Sequence, residues 1–131
     1  MLLSSNMTEV EKMHKDAMYW ISMIGYYQKD LQFAEKLLNA KIYKSKTRNF
    51  LERTQRYKNK ISYLDNMLSE FLNEIANHEN EIRGLVDCNT ISCDIVYQQN
   101  HQKAEKSFKE KSIDFQSIKS EIFDYILNAL L

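Results

Sequence analysis

The chain holds three histidines, His14, His78 and His101. Imidazole changes charge near neutral pH and is the commonest metal ligand among side chains. Glu74 stands four residues before His78, and Glu105 four after His101. On a helix, each carboxylate would share a face with its imidazole. Imidazoles and carboxylates projecting inward from facing helices build the metal centres of helical bundles. His14, His78, His101, Glu74 and Glu105 are therefore a candidate site for a transition metal ion. Two features count against it. The spacing is Glu-x-x-x-His, whereas di-metal bundles use Glu-x-x-His, and three helices offer fewer ligands than four. The alternative is a buried polar layer in which each histidine bonds a carboxylate or a backbone carbonyl and fixes helix register. The same imidazoles could also sense pH.

Other chemistry is scarce. There is no Gly-rich phosphate loop, no GxSxG and no HExxH, so a non-enzymatic protein without a cofactor is expected. Cys88 and Cys93 lie five apart, a spacing that suits neither zinc nor a CxxC redox pair. Reduced thiols in a cytoplasmic protein are the expectation, with a disulfide across a loop as the alternative. The N-terminus MLLSSNMTEVEK lacks the basic and apolar regions of a signal peptide. No stretch is long and apolar enough to span a bilayer.

These groups must be positioned by helices. The 131 residues include no proline and two glycines, are 44 % hydrophobic and 27 % charged, and carry no net charge. That excludes disordered and collagen-like chains and leaves too few turn formers for a β-sandwich. Apolar residues recur at alternating steps of three and four, a heptad seam. The first run is Val10, Met13, Ala17, Trp20, Ile24, Tyr27, Leu31, Ala34 and Leu38. The second runs from Phe50 through Thr54, Tyr57, Ile61, Leu64, Leu68, Phe71, Ile75 and His78 to Ile82 and Leu85. The third runs from Tyr97 through His101, Ala104, Phe108, Lys111, Phe115, Ile118 and Ile122 to Tyr125 and Ala129. Thr8 and Glu11 read as a capping box opening the first helix. Breaks near 40–47 and 87–93 hold Ser or Thr able to cap the next helix.

The fold expected is an all-α, antiparallel up-down-up three-helix bundle in one domain over 1–131. Its long coiled-coil-like helices cover about residues 7–40, 48–86 and 93–130. Counting back from the turns, His78 lies level with roughly residue 102 and His14 with roughly residue 73. All three imidazoles then fall near one end.

Two surfaces stand out. Tyr19, Tyr26 and Phe33 recur every seven residues outside the seam, with Met23 and Leu37 beside them. A bundle of three needs only about three of every seven positions buried. This face is expected to meet a second copy, as a homodimer, or a helical protein partner. Residues 41–60 hold eight basic groups, among them Lys41, Lys44, Lys46, Arg48, Arg53 and Arg56, and one acid, Glu52. Such a basic end could take an acidic partner, but no nucleic-acid motif accompanies it and a solvated surface is the commoner meaning.

The run WISMIGYYQKDLQFAEKLL (20–38) resembles the first helix of small soluble all-helical proteins of Bacteroidetes, whose function is unknown. NFLERTQRYKNKISYLDNMLSEF (49–71) and FKEKSIDFQSIKSEIFDYIL (108–127) are similar to that family's second and third helices. The gap between His14 and Trp20 is longer here. The resemblance implies a cytosolic helical protein and adds no chemistry.

Overall fold

A computed structural model describes the backbone of residues 2–40, 49–87 and 91–130, and the side chains of residues 9–40, 49–81 and 95–128. It shows an all-α bundle of three helices: α1 (Leu2–Asn39), α2 (Phe50–Asp87) and α3 (Ile91–Leu130). At 1.5 Å per residue each is a rod of about 55–60 Å. Contacts between Thr54 and Tyr125, Lys60 and Glu121, and His78 and His101 set α2 and α3 antiparallel. Asp16 meets His101 and Asp30 meets Lys119, so α1 and α3 run parallel.

The heptad seam becomes the core. Every described seam residue is buried or half-buried. Phe71, Phe115, Ile24, Leu64, Leu68, Ile75 and Ile122 are almost wholly enclosed. Ile126 joins them beside the half-buried Tyr125, so the seam shifts by one residue near the end of α3. The ring of Tyr27 stacks on that of Phe115 at 4.1 Å and its hydroxyl donates to the Ser112 hydroxyl at 3.3 Å. Lys111, a charged seam residue, turns outward: its ammonium donates to the Ser107 hydroxyl while lying over the Phe71 ring. Its stem covers apolar surface while its head stays polar.

Two polar layers interrupt the apolar core. Near the start of α2, the Tyr125 hydroxyl donates to the Phe50 carbonyl at 3.2 Å and lies 2.9 Å from the Thr54 hydroxyl. With its own proton committed to Phe50, Tyr125 accepts the proton of Thr54. The other layer is the histidine layer described below.

Three expectations about helix ends need correction. α1 begins at Leu2, so Thr8 lies inside the helix and does not cap it. The residues before it contain no helix breaker, and a Thr-x-x-Glu pattern within a continuing helix has no free N–H groups to satisfy. Asn49, not a Ser or Thr, stands at the start of α2, its carbonyl accepting the Arg53 N–H at 2.9 Å. Asn is among the favoured residues at that position. α3 begins at Ile91, which places Cys93 in its first turn and not in a loop. The Cys93 side chain and Cys88 lie outside what the structure describes, as do Lys41, Lys44, Lys46 and Arg48.

Gly25 sits in the middle of α1 without a structural requirement for glycine. No described residue has positive φ, and a Cβ on Gly25 would meet nothing within 4 Å. Glycine costs a helix interior about 0.8–1 kcal/mol relative to alanine. Gly25→Ala is expected to stabilise the bundle by about that amount, raising Tm by about 3 °C for a chain of this length. A calorimetric scan of the variant against wild type checks it; an unchanged or lower Tm would show that the glycine has a role outside the helix.

Candidate histidine layer

The site forms where α1, α2 and α3 each bring one turn to the same height. Nε2 of His78 lies 2.7 Å from Nδ1 of His101, a hydrogen bond between two buried rings. Nε2 of His101 lies 2.8 Å from Oδ2 of Asp16 on α1. On its other side, Nδ1 of His78 faces Oε2 of Glu81 at 3.6 Å, a charge contact too long for a good hydrogen bond. Asn100 donates to that same Glu81 oxygen at 3.2 Å and holds it in place. The result is a chain, Asp16–His101–His78–Glu81, crossing all three helices.

The hydrogen positions follow from the partners. An ionised carboxylate only accepts, so His101 donates from Nε2 to Asp16. In neutral His101, Nδ1 is then an acceptor, and His78 donates to it from Nε2. That leaves a bare Nδ1 on neutral His78, turned toward Glu81. Burial holds the His78 pKa below its ordinary 6.5; the charge of nearby His101 adds to the effect, while Glu81 and Glu79 oppose it.

Trp20 ties this layer to the core. Its indole stacks on His101 at 5.0 Å and on Phe108, one heptad further along α3, at 5.9 Å. On the opposite side of the layer, among the described residues, Met13 forms a separate small cluster with Val10 and Tyr97.

The histidines are placed unequally. His78 and His101 meet as their seam positions predicted. His14 is exposed and bonds Glu79 at 2.9 Å, so it stands level with residue 79 and not residue 73. α1 ends at Asn39 and α2 begins at Phe50, and counting from those ends alone moves the level only to about residue 75. The other Glu79 oxygen is buried without a hydrogen-bond partner. Glu105 pairs with Lys109 at 3.0 Å, while Glu74 is exposed. Each carboxylate shares only a shallow cleft with the imidazole of the layer nearest it. Glu105 and His101 line one of about 230 Å³ between α1 and α3; Glu74 and His78 line one of about 450 Å³ between α2 and α3.

A metal ion needs nitrogens and oxygens aimed at a common point about 2 Å away. Here the two buried imidazoles aim facing nitrogens at each other. Among the described residues no group of three or more His, Cys, Asp or Glu side chains could hold a metal ion. The carboxylates that do reach the layer, Asp16 and Glu81, were not among the candidates. Glu81 was within reach as the i+3 neighbour of His78. Asp16 required comparing heights on the parallel pair α1 and α3.

The two surfaces also resolve. Tyr19, Tyr26 and Phe33 are 58 %, 62 % and 56 % exposed. Met23 and Leu37 are half-buried and pack against the core. The Phe33 ring lies 6.2 Å from Phe123 on α3, and the exposed Leu127 follows four residues after Phe123. At the basic end, Lys60 pairs with Glu121 at 2.8 Å, and Arg53 and Arg56 share a cleft with Glu121 and Asp124. Part of the basic run is thus answered by acids of α3.

No protein-family profile matches the chain, and no curated protein or solved structure is significantly similar to it. Among the described residues no helix is long and apolar enough to cross a membrane.

Proposed function

We propose that the chain is a non-enzymatic helical interaction module, cytoplasmic in location, that self-associates through the aromatic face of α1. One observation carries this reading: Tyr19, Tyr26 and Phe33 stay more than half exposed although they recur at heptad spacing along one line. Aromatic side chains bury large areas at interfaces and do little for a monomer when left in water. The spacing is also self-complementary. With equal seven-residue intervals either side of Tyr26, a two-fold axis beside that residue sets Tyr19 of each copy level with Phe33 of the other. Two-fold dimers are the commonest assemblies and require such a patch.

Light scattering and sedimentation equilibrium test the proposal. Wild type is expected to show a concentration-dependent approach to twice the chain mass. Tyr26→Arg introduces a charge at the axis and should weaken association by at least about tenfold, or about 1.4 kcal/mol. Circular dichroism should be unchanged, because Tyr26 supports little of the monomer. A strictly monomeric wild type up to about 1 mM, the weak end of specific association, would remove this reading. Association undiminished by Tyr26→Arg would move the contact elsewhere on the bundle.

A further inference from the structure

We infer that Asp16–His101–His78–Glu81 is a two-way hydrogen-bond relay. Its two rings change tautomer together, and the competition between Asp16 and Glu81 decides which side of the bundle is offered a bare ring nitrogen. The chain has three junctions, at 2.8, 2.7 and 3.6 Å. Two neutral imidazoles carry one N–H group each, so one junction goes without a hydrogen. The ring–ring junction is not that one. Both rings are enclosed, and two bare nitrogens facing each other at 2.7 Å would repel, with no water to satisfy either. The hydrogen-poor junction therefore lies at one end of the chain or the other.

Two settings satisfy this count. In the first, both rings carry hydrogen on Nε2: His101 donates to Asp16, and His78 donates to His101. In the second, both carry it on Nδ1: His101 donates to His78, and His78 donates to Glu81. Any mixed setting puts two N–H groups, or two bare nitrogens, face to face across the ring–ring contact, so neither ring changes alone. The distances select the first setting, because Asp16 stands at bonding distance and Glu81 does not.

The two ends open into different clefts. Asp16 and His101 line the one between α1 and α3, His78 and Glu81 the one between α2 and α3. The terminal carboxylates are 34 % and 44 % exposed, so a group arriving in either cleft reaches an end while the bundle stays closed. A bare ring nitrogen beside a carboxylate suits an N–H donor, above all an ammonium or guanidinium group. In the first setting that place is Nδ1 of His78, in a cleft shared by Glu74, Glu81 and Lys103. In the second it is Nε2 of His101, in a cleft shared by Glu9, Lys12, Asp16 and Glu105. The layer offers one such place at a time. Donors in the two clefts thus oppose each other without touching, through a shared two-state element, and the opposition is reciprocal.

Two-bond 1H–15N correlation spectra of the imidazoles test the relay at about pH 8, above the ordinary histidine pKa of about 6.5. Wild type is expected to hold hydrogen on Nε2 of both rings. Asp16→Ala removes the nearer acceptor and should move the tautomer ratio toward Nδ1 by at least about tenfold, the effect of losing one hydrogen bond to a charged group. The shift should be equal at His101 and at His78, although Asp16 bonds only the former. Asp16→Asn keeps the side chain's shape and loses its charge; it should move both rings in the same direction and serves if the alanine variant does not fold. Glu81→Ala should leave both rings as in wild type. An Asp16 of merely local importance would change His101 alone. Rings that shift separately, an unmoved His78 in a folded Asp16 variant, any other hydrogen placement in wild type, or a shift toward Nδ1 in Glu81→Ala would each overturn the relay.

Discussion

Phe115→Ala is expected to destabilise the bundle by about 3–5 kcal/mol, the usual cost of deleting an enclosed phenylalanine. Phe115 has no exposed surface, stacks on Tyr27 at 4.1 Å and carries the Lys119 ammonium 5.9 Å from its ring centre. Neighbours on long helices cannot close the space independently, because each is held by the turns above and below it. Removing the ring leaves a cavity and forfeits the Tyr27 stack together. Guanidinium unfolding should show the midpoint falling with the slope unchanged, the mark of a stability loss without a change in the exposed area. Ile113→Ala supplies the contrast. Only two residues away on α3 but 69 % exposed, it should change stability by less than about 0.5 kcal/mol. Equal effects at the two positions would mean that α3 is rotated relative to the arrangement described here.

His101→Ala is expected to cost about 3–5 kcal/mol as well, by a different route. His101 bonds both His78 and Asp16 and lies against Trp20. Alanine removes the stacked ring and leaves Nε2 of buried His78 without a partner, an orphaned polar group that costs about 1–3 kcal/mol by itself. Asp16 suffers less, since it is about one-third exposed and can be hydrated. Thermal unfolding near pH 7.5 should give a Tm lower by roughly 10–15 °C for a chain of this length. His101→Leu separates the two terms: it restores apolar volume while leaving His78 unpaired, so its loss should be smaller but not absent. A His101→Ala variant as stable as wild type would show that the layer contributes nothing to the fold.

Much of this architecture was legible because it rests on one periodicity. The steps of three and four identified the core positions, and all those whose side chains are described are covered. Helix ends were less legible. The signal at Thr8 was local, whereas the continuation of α1 to Leu2 depends only on the absence of any breaker. The meeting of His78 and His101 was legible because antiparallel helices with few residues between them in sequence set level positions by counting. Their partners were not, because a search confined to neighbours four residues away on the same helix misses groups arriving from another. Asp16 comes from α1, and Glu81 from the next turn of α2. The exposed face of Tyr19, Tyr26 and Phe33 could be read as surplus to the seam, whereas Met23 and Leu37, read with them, instead pack against the core.

The two polar layers, Thr54 with Tyr125 and His78 with His101, have a consequence for alignment. A heptad seam is a repeating rail, and two rods bearing it can slide past each other by seven residues with little apolar penalty. Here a slip one way would set Phe108 beside His78 and Ile61 beside Tyr125, and a slip the other way Phe71 beside His101 and Ile118 beside Thr54, stranding buried polar atoms at both stations either way. Each stranded group costs about 1–3 kcal/mol, so the displaced alignments lie well above the native one. The pair of layers acts as a key with two teeth, admitting α3 to α2 at a single setting.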